Sequence, residues 1–296
     1  MADIGLDGAD RTRPLGARPQ LAALFGSPWW LTAPALGYAA LVFALPLASL
    51  VATSFVANGE IGLSNYAAFL SEPHYRQSVW ITLRFAALTS IVCVAIGLPY
   101  GLIMSRLSPR WQAILLVLIL IPMASSIVVR TFGWTILLRR DGIINDLLVG
   151  TGLAARPVRL IFTEVGLVLG TVSMKLPLVI LPVFSVARMI PKDLVPAALC
   201  LGATPVQAFT RITVPLVLPG VLLGFAFVFA QSASAYVVPS LLAGTRYKTM
   251  SMTIVESYSV LQNAALGSTV SVLLLVIVIS VIATSGYLAR RVGAAS

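Results

Sequence analysis

A lysine in the middle of a long apolar stretch is the residue of this chain best placed to do chemistry. Lys175 lies about 18 Å along the apolar run that begins at Thr163, and Pro177 follows it closely. That depth approaches the midplane of a bilayer, where a charged side chain is costly. We expect Lys175 to face a bundle interior or a wet cavity, and either to line a polar path or to pair with a carbonyl that the proline frees.

Further polar residues interrupt other apolar runs. The outer half of a later run carries Gln231, Ser232, Ser234 and Tyr236. Serine is common where membrane helices pack together, whereas the bulkier glutamine and tyrosine favour a face that lines a path. Arg130 lies about 27 Å along its run and Arg84 about 9 Å along another, so both are expected to reach an outer interface. The candidate path residues are Lys175, Gln231, Ser234, Tyr236 and Arg130.

Catalytic and metal-binding constellations are not predicted. His74 is the single histidine, which argues against a metal cluster and a Ser-His-Asp triad. The chain has no G-x-x-x-x-G-K-[ST] phosphate loop, so ATP is not expected to bind here. Cys93 lies in an apolar run and Cys200 in a polar loop, and neither place suits a disulfide. We therefore predict no enzyme, no metal and no cofactor in this chain.

Composition places the chain in a membrane. It is 58% hydrophobic and only 10% charged, with a mean hydropathy of +0.97. Soluble proteins average about 25% charged residues. The net charge of +10 comes from basic residues scattered among loops, which does not indicate nucleic acid. This positive charge agrees better with contacts to anionic lipid head groups and with the positive-inside rule.

Six apolar runs reach the length of about 20 residues that a bilayer requires. They are 29–56, 78–105, 112–138, 163–187, 216–238 and 266–289. We expect a cytoplasmic tail over 1–28, one six-span domain over 29–290 and a short tail over 291–296. A cleaved signal peptide is the alternative for the first run, which is however longer than a signal core of about 7–15 residues. The outer segments are too short for a solute receptor, which must be another chain.

Charge bias sets the expected orientation. With both termini in the cytoplasm, ten basic residues lie inside: Arg11, Arg13, Arg18, Arg106, Arg110, Arg188, Lys192, Arg211, Arg290 and Arg291. Seven lie outside: Arg76, Arg139, Arg140, Arg156, Arg159, Arg246 and Lys248. This modest excess favours both termini and the loop 188–215 on the cytoplasmic side.

The loop 188–215 is the longest polar interruption between two apolar runs. Asp193 is predicted to cap a short helix, with Pro196 tolerated in its first turn. Gly202 stands where a residue with positive φ would end that helix, and Thr204-Pro205 is a second helix start. We predict a helix, a glycine hinge and a second helix. The second helix should carry one apolar stripe of Val206, Phe209 and Ile212.

The same loop resembles the E-A-A-x-x-x-G loop of ABC importer permeases. The matching residues are Ala197, Ala198, Gly202, Ile212 and Pro215. The resemblance implies a coupling helix that docks in a groove of a cytoplasmic ATPase. Pro196 replaces the usual Glu, and Asp193 one turn upstream could take over its contact. The expected ATPase-coupling residues are Asp193, Pro196, Ala197, Ala198, Gly202, Ala203, Phe209 and Pro215.

Further stretches resemble the spermidine/putrescine-type subgroup of these permeases. They are Val129–Trp134, Arg140–Asn145, Tyr236–Gly244 and Leu266–Ser268, so the resemblance covers nearly the whole chain. It implies the all-α, six-helix fold of a type I importer in the bacterial inner membrane. It also implies two permease subunits, expected as a heterodimer with a homologous six-span chain. Two ATPase subunits that hold ATP and Mg²⁺, and an extracytoplasmic solute-binding protein, complete the expected assembly.

The sequence leaves alternatives open for the solute and for the class of transporter. The resemblance implies a polyamine-type solute, but permeases of this group often carry an acid where this chain has Ala235. Because Lys175 is cationic and no midplane acid accompanies it, an anionic or zwitterionic solute is the alternative. A secondary transporter or channel is a competing class, although it would favour inward acids or repeated unwound helices. A membrane enzyme would need a catalytic constellation.

Overall fold

The structure is a computed structural model that describes residues 29–57, 60–244 and 246–295. The predicted tail 1–28 lies outside the described residues. Contacts divide the chain into two units, residues 1–49 and 50–296. Helix α1 (Trp29–Phe55) begins in the first unit, ends in the second, and contains Pro34 and Pro46.

The second unit is built almost entirely of helices. A two-residue hairpin of β1 (Val56–Ala57) and β2 (Glu60–Ile61) is the departure from the predicted all-α class. The helices that follow are α2 (Ser64–Ser71), α3 (Pro73–Arg106), α4 (Pro109–Leu120), α5 (Ile127–Leu137), α6 (Ile143–Gly150), α7 (Glu164–Lys175), α8 (Pro177–Met189), α9 (Leu194–Cys200), α10 (Pro205–Ala208), α11 (Val214–Ala233), α12 (Val237–Leu242), α13 (Met250–Ser259) and α14 (Ala264–Ala295). A 3₁₀ turn, Ile121–Ala124, follows α4, and a π-helical turn, Phe209–Thr213, precedes α11.

Four described stretches are long and apolar enough to cross a membrane as single helices: Pro34–Phe55, Pro73–Arg106, Pro205–Ala233 and Ala264–Arg291. Two further pairs reach that length only together. Pro109–Ala124 and Ile127–Leu137 meet at 95°, and Glu164–Lys175 and Pro177–Met189 meet at 46°. The spans predicted over 112–138 and 163–187 are therefore broken. Pro122 and Pro177 lie at the two breaks, where a missing N–H removes a helical hydrogen bond.

Helix α8 packs closely against α3 through two glycines. A Cβ on Gly97 would lie 2.8 Å from Cγ1 of Val179, and one on Gly101 would lie 2.7 Å from Cγ1 of Val183. Such distances are below normal contact, so each valine occupies space that only glycine leaves open. The G-x-x-x-G spacing places both glycines on one face of α3, as in many close membrane helix pairs.

A second pair of glycines with the same spacing brings α11 against α8. A Cβ on Gly220 would lie 2.8 Å from the carbonyl oxygen of Pro182, and one on Gly224 would lie 2.9 Å from Cα of Val179. Here the obstructing atoms belong to backbone, which cannot rotate away. Helix α8 therefore contacts two G-x-x-x-G faces, and its valines at this three-helix contact belong to the buried core.

A buried asparagine organises the segment between α5 and α7. Asn145 donates to the carbonyls of Arg139 and Val158, at 2.7 and 3.0 Å, and accepts from the Val158 N–H at 2.8 Å. The side chain is fully buried, so these three bonds satisfy an amide that would otherwise be costly to bury. This residue ends the Arg140–Asn145 stretch on which the resemblance was based.

The orientation in the membrane is open to a direct labelling test. Single cysteines at Gly150 and Thr204 should react from opposite sides, Thr204 from the cytoplasm, because an odd number of spans separates them in the six-span arrangement. The measurement is labelling by a membrane-impermeant maleimide in intact and in opened cells. Reaction of both positions from one side would contradict six spans. A third predicted outer position, Thr245, lies outside the described residues.

Candidate functional site

The loop 188–215 contains a complete helix-ending motif at the predicted glycine. Gly202 has φ +89°, the left-handed conformation expected for it. Its N–H donates to the Leu199 carbonyl, and the N–H of Ala203 donates to the Ala198 carbonyl, each at 3.0 Å. This pair of bonds is a Schellman motif, which satisfies carbonyls that the end of α9 would leave free. The predicted helix and glycine hinge are confirmed.

The second helix of the loop begins at the predicted cap and does not end before the membrane run. The Thr204 hydroxyl accepts from the Gln207 N–H, and the Gln207 side chain accepts from the Thr204 N–H. This capping box fixes the start of α10. From Pro205 the chain stays helical to Ala233. The second helix of the loop and the following span are therefore one continuous helical stretch, Pro205–Ala233.

A π-helical turn joins the two parts of that helical stretch. The Val214 N–H donates to the Phe209 carbonyl, five residues back, instead of four. Pro215, next in sequence, has no N–H, so the regular ladder is already interrupted there. Of the predicted stripe, Val206 is 70% and Phe209 45% exposed, whereas Ile212, inside the wider turn, is half-buried.

The predicted cap by Asp193 is wrong. Asp193 precedes α9, but its φ of −84° and ψ of −12° are helical, and its side chain makes no cap hydrogen bond. A capping side chain reaches back only from an extended backbone conformation. The Asp193 carbonyl instead accepts from the Ala197 N–H at 2.9 Å. Pro196 lies in the first turn, as predicted, and is exposed together with Ala197.

The short helix α9 stands over a shallow groove of about 570 Å³. The groove is lined by Leu102, Ile103, Arg106, Leu107, Lys192, Val195, Pro196, Phe209 and Thr213. Two predicted coupling residues, Pro196 and Phe209, thus meet at one surface formed with the end of α3. Beyond the groove, Leu201 at the end of α9 is 90% exposed.

Two of the candidate path residues are in direct contact. The Lys175 ammonium donates to Oε1 of Gln231 at 3.0 Å, which links the end of α7 to α11. The predicted alternative, a carbonyl freed by Pro177, is not the bond that the structure shows. Arg130 lies near enough for its positive charge to act on that of Lys175. The structure therefore joins Lys175 to Gln231 by a hydrogen bond and places Arg130 within electrostatic range of Lys175.

Arg130 does not occupy the place that a straight third span would give it. It lies in the first turn of α5, just after the 95° bend. The predicted position at the outer interface was counted along one continuous helix, so it no longer follows from the residue number. Its Nε is buried and has no hydrogen-bond partner.

Ser234 and Tyr236 lie beyond the end of the fifth span, which was predicted to reach residue 238. Helix α11 stops at Ala233, whose carbonyl accepts from the Ser251 hydroxyl at 3.0 Å. Ser234 donates to the Ala230 carbonyl within its own helix end. Tyr236 lies in the break before α12 and lines a separate cavity of about 630 Å³ with His74 and the ion pair of Lys248 and Glu256.

An ion pair missed by the sequence analysis holds Arg84. Its guanidinium lies 2.8 Å from a carboxylate oxygen of Glu164, at the start of α7. Arg84 was expected to reach the outer interface, and no partner was predicted for it. The sequence contains a hint of this ion pair in the depth of the two residues. Arg84 lies about 9 Å along its run from the outer side, and Glu164 begins the next run that starts from the outer side.

Comparison with known proteins places the chain in a family. Residues 97–293 match the family described as binding-protein-dependent transport system inner membrane component. The spermidine/putrescine transport system permease protein PotB of Haemophilus influenzae is 32% identical over 212 residues, covering 72% of this chain and 74% of that protein. The molybdenum transport system permease protein ModB of Mycobacterium bovis is 29% identical over 220 residues, covering 74% and 78%.

The fold is also that of a solved transporter. A chain of a bacterial alginate ABC transporter, in complex with an alginate pentasaccharide-bound periplasmic protein, superposes with a TM-score of 0.71. The match covers 93% of this chain and 98% of that one, at 16% identity, and so speaks for the fold alone. The chain belongs to the family of binding-protein-dependent transport system inner membrane components, the permeases of ABC importers, and is a multi-pass protein of the bacterial inner membrane.

Proposed function

We propose that this chain is the permease subunit of an ATP-driven importer and transmits the motion of an ATPase through the loop 188–215. The observation that carries the proposal is the exposed α9, fixed by Gly202 to a helix that continues into the membrane as α11. A displacement of α9 would pass through the Gly202–Ala203 connection to the helical stretch Pro205–Ala233.

The surface of the loop suits a protein partner. Leu201 and Val206 are 90% and 70% exposed, and Leu199, near the end of α9, is 42% exposed. The exposure of three large apolar side chains within eight residues favours an interaction site. The groove beside α9 adds the basic residues Arg106 and Lys192. The proposed occupant is an ATPase subunit that offers an apolar groove with an acidic rim.

The other partners complete the importer. In this proposal two ATPase subunits bind ATP and Mg²⁺, and a second, homologous six-span permease forms the other half of the path. An extracytoplasmic binding protein delivers the solute. The family description and the periplasmic protein in the alginate complex support the last two partners.

The solute is proposed to be small and polar, with two candidates. The spermidine/putrescine permeases among the relatives support a polyamine. The cluster of Lys175 and Arg130, by contrast, favours an anionic or zwitterionic solute, because two cations in the path repel a polycation.

Co-purification tests the importer proposal against a secondary transporter or channel. The chain should retain two ATPase subunits and a second permease after solubilisation. In lipid nanodiscs, solute-loaded binding protein should raise the rate of ATP hydrolysis above the basal rate. A chain that moves solute down an ion gradient without these subunits would contradict the proposal.

Replacing Pro196 by glutamate should leave coupling intact. Pro196 is exposed in the first turn of α9, where an acidic side chain interacts favourably with the helix N-terminus by about 0.3–1 kcal/mol. It also restores the residue usual at this position of the motif. We expect ATPase retention and solute-stimulated hydrolysis within about twofold of the unmodified complex. A loss of either beyond about tenfold, in a complex that still assembles in the membrane, would show that the proline itself is needed.

A further inference from the structure

The polar cluster of Arg130, Lys175 and Gln231 carries a charge that nothing in the described chain neutralises. Gln231, the hydrogen-bond partner of Lys175, is neutral. The ion pairs among the described residues join Arg84 to Glu164 and Lys248 to Glu256, and neither includes the cluster. Two positive charges within apolar helices are costly, and each raises the cost of the other.

The fold places the cluster where three helical elements end or begin. Trp134 of α5 packs on α7 beside Gly170, whose added Cβ would lie 3.6 Å from the Trp134 ring. Arg130 lies one turn before Trp134, Lys175 ends α7 five residues after Gly170, and the positive charge of Arg130 acts on that of Lys175. Gln231 reaches the same point from the last turn of α11 and is exposed. The cluster is thus fixed from three sides and open on the side of Gln231.

The donors of the cluster exceed its acceptors. Arg130 Nε is buried without a hydrogen-bond partner. The Lys175 ammonium has three hydrogens, of which Gln231 accepts one, and the Gln231 amide keeps its NH₂ group. A planar guanidinium and an ammonium together are the usual donors for a group with two or three negatively charged oxygens.

We propose that Arg130, Lys175 and Gln231 form a binding site for the oxyanion of a solute, a carboxylate or a phosphonate, on its way through the membrane. The proposal rests on the proposed function, because it assigns the solute class of that importer. The oxyanion accepts from Arg130 and Lys175 and removes their mutual repulsion. Gln231 holds Lys175 in place between passages.

The test measures the charge preference of the site in the complete complex. Cysteine replaces Gln231 in a complex without other reactive cysteines, with Cys93→Ser and Cys200→Ser in this chain. The probes are an anionic sulfonatoethyl and a cationic trimethylammonioethyl methanethiosulfonate. The ratio of the anionic to the cationic reaction rate should be at least about tenfold higher than for Thr204→Cys on the exposed loop. An equal ratio, or a preference for the cationic reagent, overturns the proposal.

Charge variants and competing solutes complete the test. Arg130→Gln should lower the ratio by about tenfold, whereas Arg130→Lys should keep it, which separates charge from packing. Succinate or methylphosphonate should slow the labelling, and the more protective of the two identifies the oxyanion. Protection by spermidine but by neither acid overturns the proposal.

The same complex separates this proposal from the importer assignment. The labelling ratio is measured without ATP, so it does not depend on transport. A high ratio of anionic to cationic labelling, in a complex whose ATP hydrolysis does not respond to the binding protein, would contradict the importer assignment but support the oxyanion site. Normal stimulation of ATP hydrolysis by the binding protein, without a charge preference in the labelling, would contradict the oxyanion site but support the importer assignment.

Discussion

Replacing Gly202 by valine should abolish solute-stimulated ATP hydrolysis while the apolar helices still insert. Gly202 has φ +89°, a region that costs a residue with a Cβ about 1–2 kcal/mol. A β-branched side chain adds further restriction. That strain acts against the two bonds that close α9, from Gly202 to Leu199 and from Ala203 to Ala198. A change of this size alters the population of the closed loop by about 5–30-fold.

The expected effect comes from conformation, because space is available at this position. A Cβ on Gly202 would meet no atom within 4 Å. Gly202→Asn is therefore the matched control, since asparagine adopts the left-handed conformation more readily, and it should retain most of the coupling. The measurements are ATPase retention after purification and hydrolysis with solute-loaded binding protein. Full coupling in Gly202→Val would contradict the role of this loop as the docking element.

Replacing Gly224 by valine should destabilise the permease itself, whatever its partners. A Cβ there would lie 2.9 Å from the Val179 backbone, and valine adds two more methyl groups. Overpacking of this kind costs about 1–3 kcal/mol, and more where backbone must move. Helices α8 and α11 would separate, and α3 contacts the same valine from the other side. We expect little monodisperse protein and faster thermal aggregation.

Gly133→Val provides the control for the cost of valine in a helix. Gly133 lies within α5, and a Cβ there would meet nothing within 4 Å. Both variants lose the same glycine freedom and gain the same side chain, so their difference reports the helix contact alone. Gly224→Ala should fall between them. Equal yield and equal aggregation temperature of Gly133→Val and Gly224→Val would show that the close contact at α8 is not required.

Local patterns in the sequence were sufficient for the loop. Helix α9, the hinge at Gly202 and the start at Thr204 all depend on hydrogen bonds between residues a few positions apart, so the residues that form them are visible in the sequence. The same holds for the apolar runs, whose length and composition reflect the membrane. Asp193 failed as a cap because its backbone conformation, set by the chain on both sides, did not match its side-chain preference.

The cation cluster and the helix core were decided by tertiary structure. A run of apolar residues does not report a bend of 95°, so the depth of Arg130 cannot be counted along one straight helix. Whether Lys175 bonds to a carbonyl or to Gln231, 56 residues away, depends on how α7 and α11 pack. Gly220 and Gly224 bring α11 against α8, the helix that directly follows α7, because they let the two backbones approach closely. Sequence determines which residues can make such contacts, whereas only the folded chain determines which partners come within reach.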